Sequence, residues 1–394
     1  MKVCFETFGC RLNKAEALQQ EADYLAAGWE ITEKHSDADL FVVRGCSVTA
    51  RAQRDCERLV GHLKRKYPAK PVRFEGCIEK PLLQRLRPGM QPHNVPHSPE
   101  NMPVRTARAY LKVQDGCSGK CTFCIVPRFR GQSKSVPFQE LVDKARRFID
   151  AGYREIVATG CNLALYASGG RRLPELVAAL ADIAEEASAR IRLGSLEPGA
   201  CALETVHAMS GRPGVCRFLH VPVQSGSDRM LAAMRRDYKV SDVEELAETA
   251  VRLLANVGLG CDLMTGFPGE SELEFRATKG LLKRIPFSNA HVFPFSERPG
   301  TIASALPGSV SKAIRSQRAR SLAEIAAAKR LNFAKRFVGK TVEVVSEHDT
   351  ECSGWTAEYL YCRSVSPVPR KTLVKIFVTS VHRNAMLEGR VIPA

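Results

Sequence analysis

The chain has 394 residues, 44% of them hydrophobic and 25% charged, enough for two or three domains with full cores and typical of a water-soluble globular protein. Its formal net charge is +16, and the excess concentrates in residues 105–335, with 34 Lys+Arg against 23 Asp+Glu, which points to a polyanionic partner such as nucleic acid. No run of 18 apolar residues occurs and Met1-Lys2-Val3-Cys4-Phe5-Glu6 opens without a long apolar stretch; neither export nor a membrane partner is supported, and a cytoplasmic chain is expected. Fourteen cysteines in that setting read as metal ligands and buried thiols, not as a disulfide framework.

In chain order, the first signal is a strand that ends in Gly-Cys, and it occurs three times. Residues 3–8 run into Gly9-Cys10, residues 40–44 into Gly45-Cys46, and residues 72–75 into Gly76-Cys77. The segments between them read as helices, Asn13 to Ala27 with Leu18, Ala22 and Leu25 on one face, and Thr49 to Tyr67 with Cys56, Leu59, Val60 and Leu63 on another. Strand-helix-strand units of about 30 residues place their strands parallel, and parallel strands gather their C-terminal ends on one sheet edge. Three cysteines at such ends converge, and the glycine before each lets the backbone approach a bulky group. One strand-end cysteine alone is explained equally well as a buried thiol; three repeats point to a metal site with three thiolates.

Prolines at 88, 92, 96, 99 and 103 mark an extended linker, so the first boundary is set at 104/105. Next comes Cys117-Ser-Gly-Lys-Cys121-Thr-Phe-Cys124, a C-x3-C-x2-C run. A [4Fe-4S] cluster normally takes four cysteines, so three leave one iron open for a substrate or cofactor, as catalytic metal sites leave a position open. A Cys3His zinc site is the alternative, but His93, His97 and His207 are all remote in sequence. Lys120 inside the loop either favours a reduced cluster or is simply solvated.

The loop, with Phe123 before its last cysteine, resembles the signature of the radical S-adenosylmethionine (SAM) enzymes. Together with Cys10 in Thr7-Phe8-Gly9-Cys10-Arg11-Leu12-Asn13, Cys46 and Cys77, it resembles the methylthiotransferases of that superfamily over nearly the whole chain. Two departures are Arg44-Gly45, where the family often has Asn-Thr, and Lys80, where it often has Gln. The resemblance implies two [4Fe-4S] clusters, one ligated by Cys117, Cys121 and Cys124 and an auxiliary one by Cys10, Cys46 and Cys77. It also implies that one SAM methylates sulfur held at the auxiliary cluster and a second yields the radical that removes hydrogen, so that C–H becomes C–SCH3.

Beyond the loop, apolar runs at 110–113, 155–158, 191–193, 218–223, 261–264 and 291–295 alternate with amphipathic stretches. Six strand-helix units are too few for a closed eight-stranded barrel and fit the open (β/α)6 barrel that the resemblance implies. Chemistry in such barrels sits at the strands' C-terminal ends, here rich in glycine and short polar residues. Thr159, Gly160, Gln224 and Gly266 are the expected SAM contacts there, with Phe123, although a tight turn explains a single glycine as well. Cys161, after Gly160, reads as a buried thiol.

Residues 311–337 read as a long basic helix with an apolar stripe of Ile314, Leu322, Ile325 and Leu331; its basic side is either a solvated face or a lead for RNA. From Gly339 onward, apolar runs at 342–345, 360–362, 373–378 and 390–392 suggest a small antiparallel barrel. Gly354-Trp355-Thr356-Ala357-Glu358-Tyr359 resembles a segment of the RNA-binding TRAM domain, with Trp355 and Tyr359 as either base-stacking or core aromatics. The expected organisation is α/β overall: a parallel-sheet domain at 1–104, an open radical SAM barrel at 105–310, a helical linker at 311–336 and a TRAM-like barrel at 337–394. Gly9-Cys10-Arg11-Leu12-Asn13 and His291-Val292-Phe293-Pro294-Phe295-Ser296 look most like the branch that methylthiolates C2 of threonylcarbamoyladenosine 37 in the tRNA anticodon loop. The alternatives are isopentenyladenosine 37, an aspartate of a small-subunit ribosomal protein, or a non-catalytic, metal-braced RNA-binding protein. Flavodoxin or ferredoxin is the expected electron donor, and the sulfur donor is not legible.

Overall fold

A computed structural model describes residues 1–78 and 106–393; the proline-spaced stretch, Lys80 and the 104/105 boundary lie outside the described residues. The chain begins with β1 (Lys2–Thr7), α1 (Arg11–Ala26), β2 (Glu30–Ile31), β3 (Leu40–Cys46), α2 (Ala50–Lys66) and β4 (Val72–Cys77). These strands form one parallel sheet in the order β2-β1-β3-β4. All seven residues of β3 are buried, as a central parallel strand covered on both faces requires. Helix α2 presents Cys56, Val60 and Leu63 to this sheet, is capped by the Thr49 hydroxyl accepting from Ala52 N, and ends in Lys64, Arg65 and Lys66, which suit its negative C-terminal pole. Helix α1 starts two residues before the expected Asn13, with Cys10 as its N-cap.

The six expected barrel strands are present as β5 (Ala109–Lys112), β6 (Glu155–Thr159), β7 (Arg190–Leu193), β8 (Phe218–Gln224), β9 (Gly258–Thr265) and β10 (Asn289–Pro294). They pair in parallel as two three-stranded halves joined by bridges from Ile191 to Val215 and from Ser195 to His220. Leu111, Ile156, Ala158, Ile191, Leu193, Leu219, Val221, Cys261 and Leu263 point into one large core with the surrounding helices. Alternate residues therefore face the barrel interior. The open side is closed by α1, whose Ala15 and Leu18 pack on Tyr110 and Val157.

A short α3 (Val126–Arg130) follows the cysteine loop, and α4 (Lys312–Lys335) runs from the barrel to the last sheet. Two of the basic residues of α4 serve neither of the roles expected of them. Arg318 is buried with Glu270 at 2.6 Å, and Arg315 reaches Glu297 at 2.8 Å and the Phe295 carbonyl, so both pin the helix to the barrel. Ile314, expected in the apolar stripe, is exposed, while Leu322 is fully buried.

The last sheet contains β11 (Thr341–Val345), β12 (Cys352–Trp355), β13 (Tyr361–Ser364), β14 (Leu373–Val381) and β15 (Leu387–Ile392), in the order β11-β14-β15-β13-β12. A bridge from Val344 to Thr356 brings its edges together, making it nearly closed. It differs from the expectation in one pair: β13 and β15 run parallel. β12, a four-residue strand, carries no sequence signal strong enough to have been expected.

The β12–β13 turn docks at the strand-start end of the barrel. Tyr359, at φ +67, lies between Trp355 (4.3 Å) and Phe218 (4.5 Å) in a stack. Gly258 has no room for a side chain because the Glu358 carbonyl lies against it. Beneath the stack, fully buried Glu155 binds Arg190 and Arg192 at 2.6–2.8 Å, and the two arginines donate to the carbonyls of Trp355, Thr356 and Ala357. Trp355 and Tyr359 therefore join the last sheet to the barrel, and both faces of the Tyr359 ring are covered.

Candidate functional site

The Gly-Cys ends of β1, β3 and β4 lie side by side. Gly45 pairs with Gly76 and Cys46 with Cys77, about 4.8 Å apart across a sheet, and Phe8 N donates to Arg44 O at 2.8 Å to align the first end. The glycines are required by space. A Cβ on Gly76 (φ +109) would lie 2.5 Å from Gly45 O, one on Gly45 2.7 Å from the Phe74 ring, and one on Gly9 (φ +97) 2.7 Å from Cys46 Cβ. Cys46 and Cys77 are buried and Cys10 is exposed, so the set opens to one side. Burial raises the Cys46 thiol and pushes that of Cys77 up to about 11; a bound cation would have to displace those protons.

Cys117, Cys121 and Cys124 are all half-buried on a loop clamped at both ends. Cys117 N donates to Gly131 O at 3.0 Å, and Thr122 bonds Met234 O, Ala233 O and Ala303 N. Gly119 sits under the thiols, with its Cβ position 3.3 Å from Cys117 Sγ and 3.8 Å from Cys121 Sγ. Arg236 Nη1 reaches Cys121 Sγ at 3.1 Å and Nη2 reaches Glu197 at 2.8 Å. Lys120 is exposed, in line with its solvated reading.

Among the described residues, one group of three ligand atoms lies mutually within 4.8 Å, that of Cys4, Glu6 and His35. Neither cysteine triple is drawn in that far.

The expected SAM contacts separate into two kinds. Thr159 and Gln224 are buried at the ends of β6 and β8, and Gln224 adopts φ +65 with its Oε1 buried and unpartnered. A strained residue holding an unsatisfied acceptor fits a missing ligand. Gly160 and Gly266 have packing reasons: a Cβ on Gly160 would lie 2.8 Å from Gln114 Oε1, and one on Gly266 would strike the Arg315 side chain. Phe123 joins an apolar cluster with Met230, Met264, Phe267 and Phe295. Cys161 is half-buried, its Sγ 4.0 Å from Asp115 Oδ1 and its pKa pushed by burial to about 12.

Several contacts of the site carried no sequence signal. Arg130, Asn13, Glu16, Asp115 and Lys112 form a network between α1 and the loop. Burial pushes the Glu16 carboxyl up, but the hydrogen bond and charge of Arg130, with Lys112 and Arg44, outweigh it and hold the pKa at about 2. Inside the barrel, Asp262 bridges His220 (3.0 Å) and His291 (3.3 Å). Burial opposes its charge and the two imidazoles outweigh that, holding it well below the carboxylate range. Apart from Lys112 and Asp115 at i,i+3, these partners are 15 to 117 residues apart and leave no local pattern to read.

Comparison with known proteins matches residues 111–282 to the Radical SAM superfamily and residues 2–92 to the uncharacterized protein family UPF0004. The threonylcarbamoyladenosine tRNA methylthiotransferase MtaB of Aquifex aeolicus is 30% identical, over 88% of this chain and 92% of the relative. The tRNA-2-methylthio-N(6)-dimethylallyladenosine synthase of Cereibacter sphaeroides is 31% identical, over 82% of each. Among solved structures, the radical S-adenosylmethionine methyltransferase TsrM of Kitasatospora setae superposes with a TM-score of 0.52, covering 89% of this chain and 80% of that one, at 12% identity; that is a likeness of fold.

Proposed function

The chain belongs to the radical SAM methylthiotransferases, and from that membership we propose that it replaces the C2 hydrogen of threonylcarbamoyladenosine 37 in tRNA with a methylthio group. Membership makes it an enzyme that uses SAM and a [4Fe-4S] cluster, which sets aside the non-catalytic alternative. Cys117, Cys121 and Cys124 hold that cluster in this reading, and Cys10, Cys46 and Cys77 hold a second. Bound there, the first would supply the hydrogen-abstracting radical from SAM and the second would hold the sulfur that is methylated and transferred. The observation that carries the two-site reading is the convergence of three Gly-Cys strand ends beside a second three-cysteine loop.

The chain's own residues hold these groups and shape their surroundings. Gln224 offers its unpaired Oε1 to SAM, Thr159, Gly160 and Gly266 shape the strand ends around it, and Phe123 lines the apolar wall. Arg236 places positive charge at Cys121, and α1 excludes water from the open side of the barrel. The domain division at 104/105, 310/311 and 336/337 belongs to the same reading, supported by the separate core of residues 333–387. So does a cytoplasmic location with flavodoxin or ferredoxin as reductant. Among the described residues no helix is long and apolar enough to cross a membrane.

The dimethylallyl-type nucleoside is the second reading, favoured by the 31% identical relative of that name. Incubating the reconstituted protein, SAM and reductant with tRNAs carrying one or the other modified adenosine, then mass spectrometry of the nucleosides, separates the two. Methylthio-threonylcarbamoyladenosine is expected. The methylthio derivative of the isopentenyl nucleoside alone would replace the first reading with the second, and neither product would redirect the search to the ribosomal protein.

A further inference from the structure

Arg130 lies six residues after Cys124, yet its side chain, 7% exposed, serves the other thiol set. Its Nη1 bonds Glu16 and Asp115 at 3.0 Å each, and its Nη2 bonds Asn13 Oδ1 at 2.8 Å and Glu16 at 3.1 Å. Asn13 is fully buried and passes this contact on, donating to Phe8 O at 2.8 Å and Gly45 O at 2.7 Å. Those carbonyls belong to the backbone just ahead of Cys10 and Cys46. Asn13 Nδ2 also lies 3.4 Å from the Cβ position of Gly76, the residue just ahead of the third thiol, Cys77. One side chain from the Cys117–Cys124 region thus reaches, through Asn13, the backbone just ahead of each cysteine of the Cys10, Cys46, Cys77 set, while in the other set Arg236 reaches Cys121 itself.

We propose that Arg130 is the positioning residue of the Cys10, Cys46, Cys77 site: its planar fork, through Asn13, fixes the three strand ends relative to the barrel, and its charge close behind them favours the more negative, reduced form of a cluster bound there. The inference rests on reading that triple as a cluster site. A fixed cation near a cluster raises its potential, because the added electron is stabilised in a partly buried, low-dielectric setting. Arginine suits both tasks through its bidentate geometry and permanent charge, and lysine supplies the charge alone.

The test isolates each cluster in the full-length chain. With Cys117, Cys121 and Cys124 changed to Ala, the protein is loaded anaerobically with iron and sulfide and titrated under EPR; the reciprocal background carries Cys10, Cys46 and Cys77 as Ala. In the first background Arg130→Gln is expected to move the midpoint potential negative, with Arg130→Lys in between. In the reciprocal background Arg130→Gln has the smaller effect and Arg236→Gln the larger. Equal shifts in both backgrounds, or an unchanged midpoint in a fully loaded Arg130→Gln protein, overturn the proposal. If Arg130→Gln does not retain iron, Arg130→Lys decides: a wild-type potential and line shape in that variant also overturn it. Failure of the parent triple-Ala chain to bind any iron overturns the second-cluster reading itself, and this inference with it.

Discussion

Glu155 is fully buried between Arg190 and Arg192, with Arg108 at 3.8 Å, and removing it would leave buried cations unmatched. Glu155→Ala is therefore expected to destabilise the fold by about 3–5 kcal/mol, read from urea unfolding. Burial raises its pKa and the arginines outweigh that, so the folded value lies below the ordinary 4.5. A depressed carboxyl stabilises the fold fully above its unfolded pKa and loses that contribution as pH falls through the folded value. Glu16 behaves likewise between 4.5 and about 2, so α1 is expected to stay docked on the barrel at pH 5 and to loosen in that acid range. Hydrogen exchange of the α1 amides across the range checks this; protection lost already at pH 6 would contradict it. At this scale the Cys117–Cys124 loop stands out by its spacing, and Cys10, Cys46 and Cys77 by the repeated strand-Gly-Cys pattern. The polar contacts do not, because Arg130 and Asn13 are 117 residues apart in sequence and nothing local pairs them.

Strands and helices were more legible than side-chain partners. Period-two and continuous apolar runs depend on burial, so the three stretches that became β1, β3 and β4 and the six barrel strands could be read within a residue or three. The last sheet was less so: β12 is short, and nothing local announces that β13 pairs in parallel with β15. The aromatic turn shows the physical reason why the sequence leaves both of its roles open. Trp355 and Tyr359 stand in a polar, glycine-led segment that suits an exposed loop, and only the arrival of Phe218 turns them into a stack. The Gly-Cys ends give the sharpest test here. Gly76→Ala forces a Cβ to 2.5 Å from Gly45 O in a left-handed backbone, so it is expected to lose the iron assigned to Cys10, Cys46 and Cys77 while keeping that at Cys117, Cys121 and Cys124. Iron analysis of reconstituted protein would halve, and a full complement would contradict the account.

Across the whole molecule, the first and last units both touch the barrel. α1 closes its open side, and the β12–β13 turn seals its base; Arg11 of α1 even lies 5.2 Å from the Tyr359 ring centre. Deleting residues 337–394 would therefore strip Arg190 and Arg192 of their carbonyl partners and expose the Phe218 face. The truncated chain is expected to unfold at a lower temperature in calorimetry, whatever it does to RNA binding; an unchanged Tm would contradict the docking. RNA binding is better probed by reversing exposed charges such as Arg363 and Arg390, which leave that interface intact.

The central claim is that two three-cysteine sites divide one reaction. The most direct measurement compares two reconstituted variants, one with Cys10, Cys46 and Cys77 as Ala and one with Cys117, Cys121 and Cys124 as Ala, each given SAM, reductant and tRNA. The first is expected to cleave SAM reductively without forming a methylthio nucleoside, and the second to do neither. A methylthio nucleoside from the first variant would contradict the account.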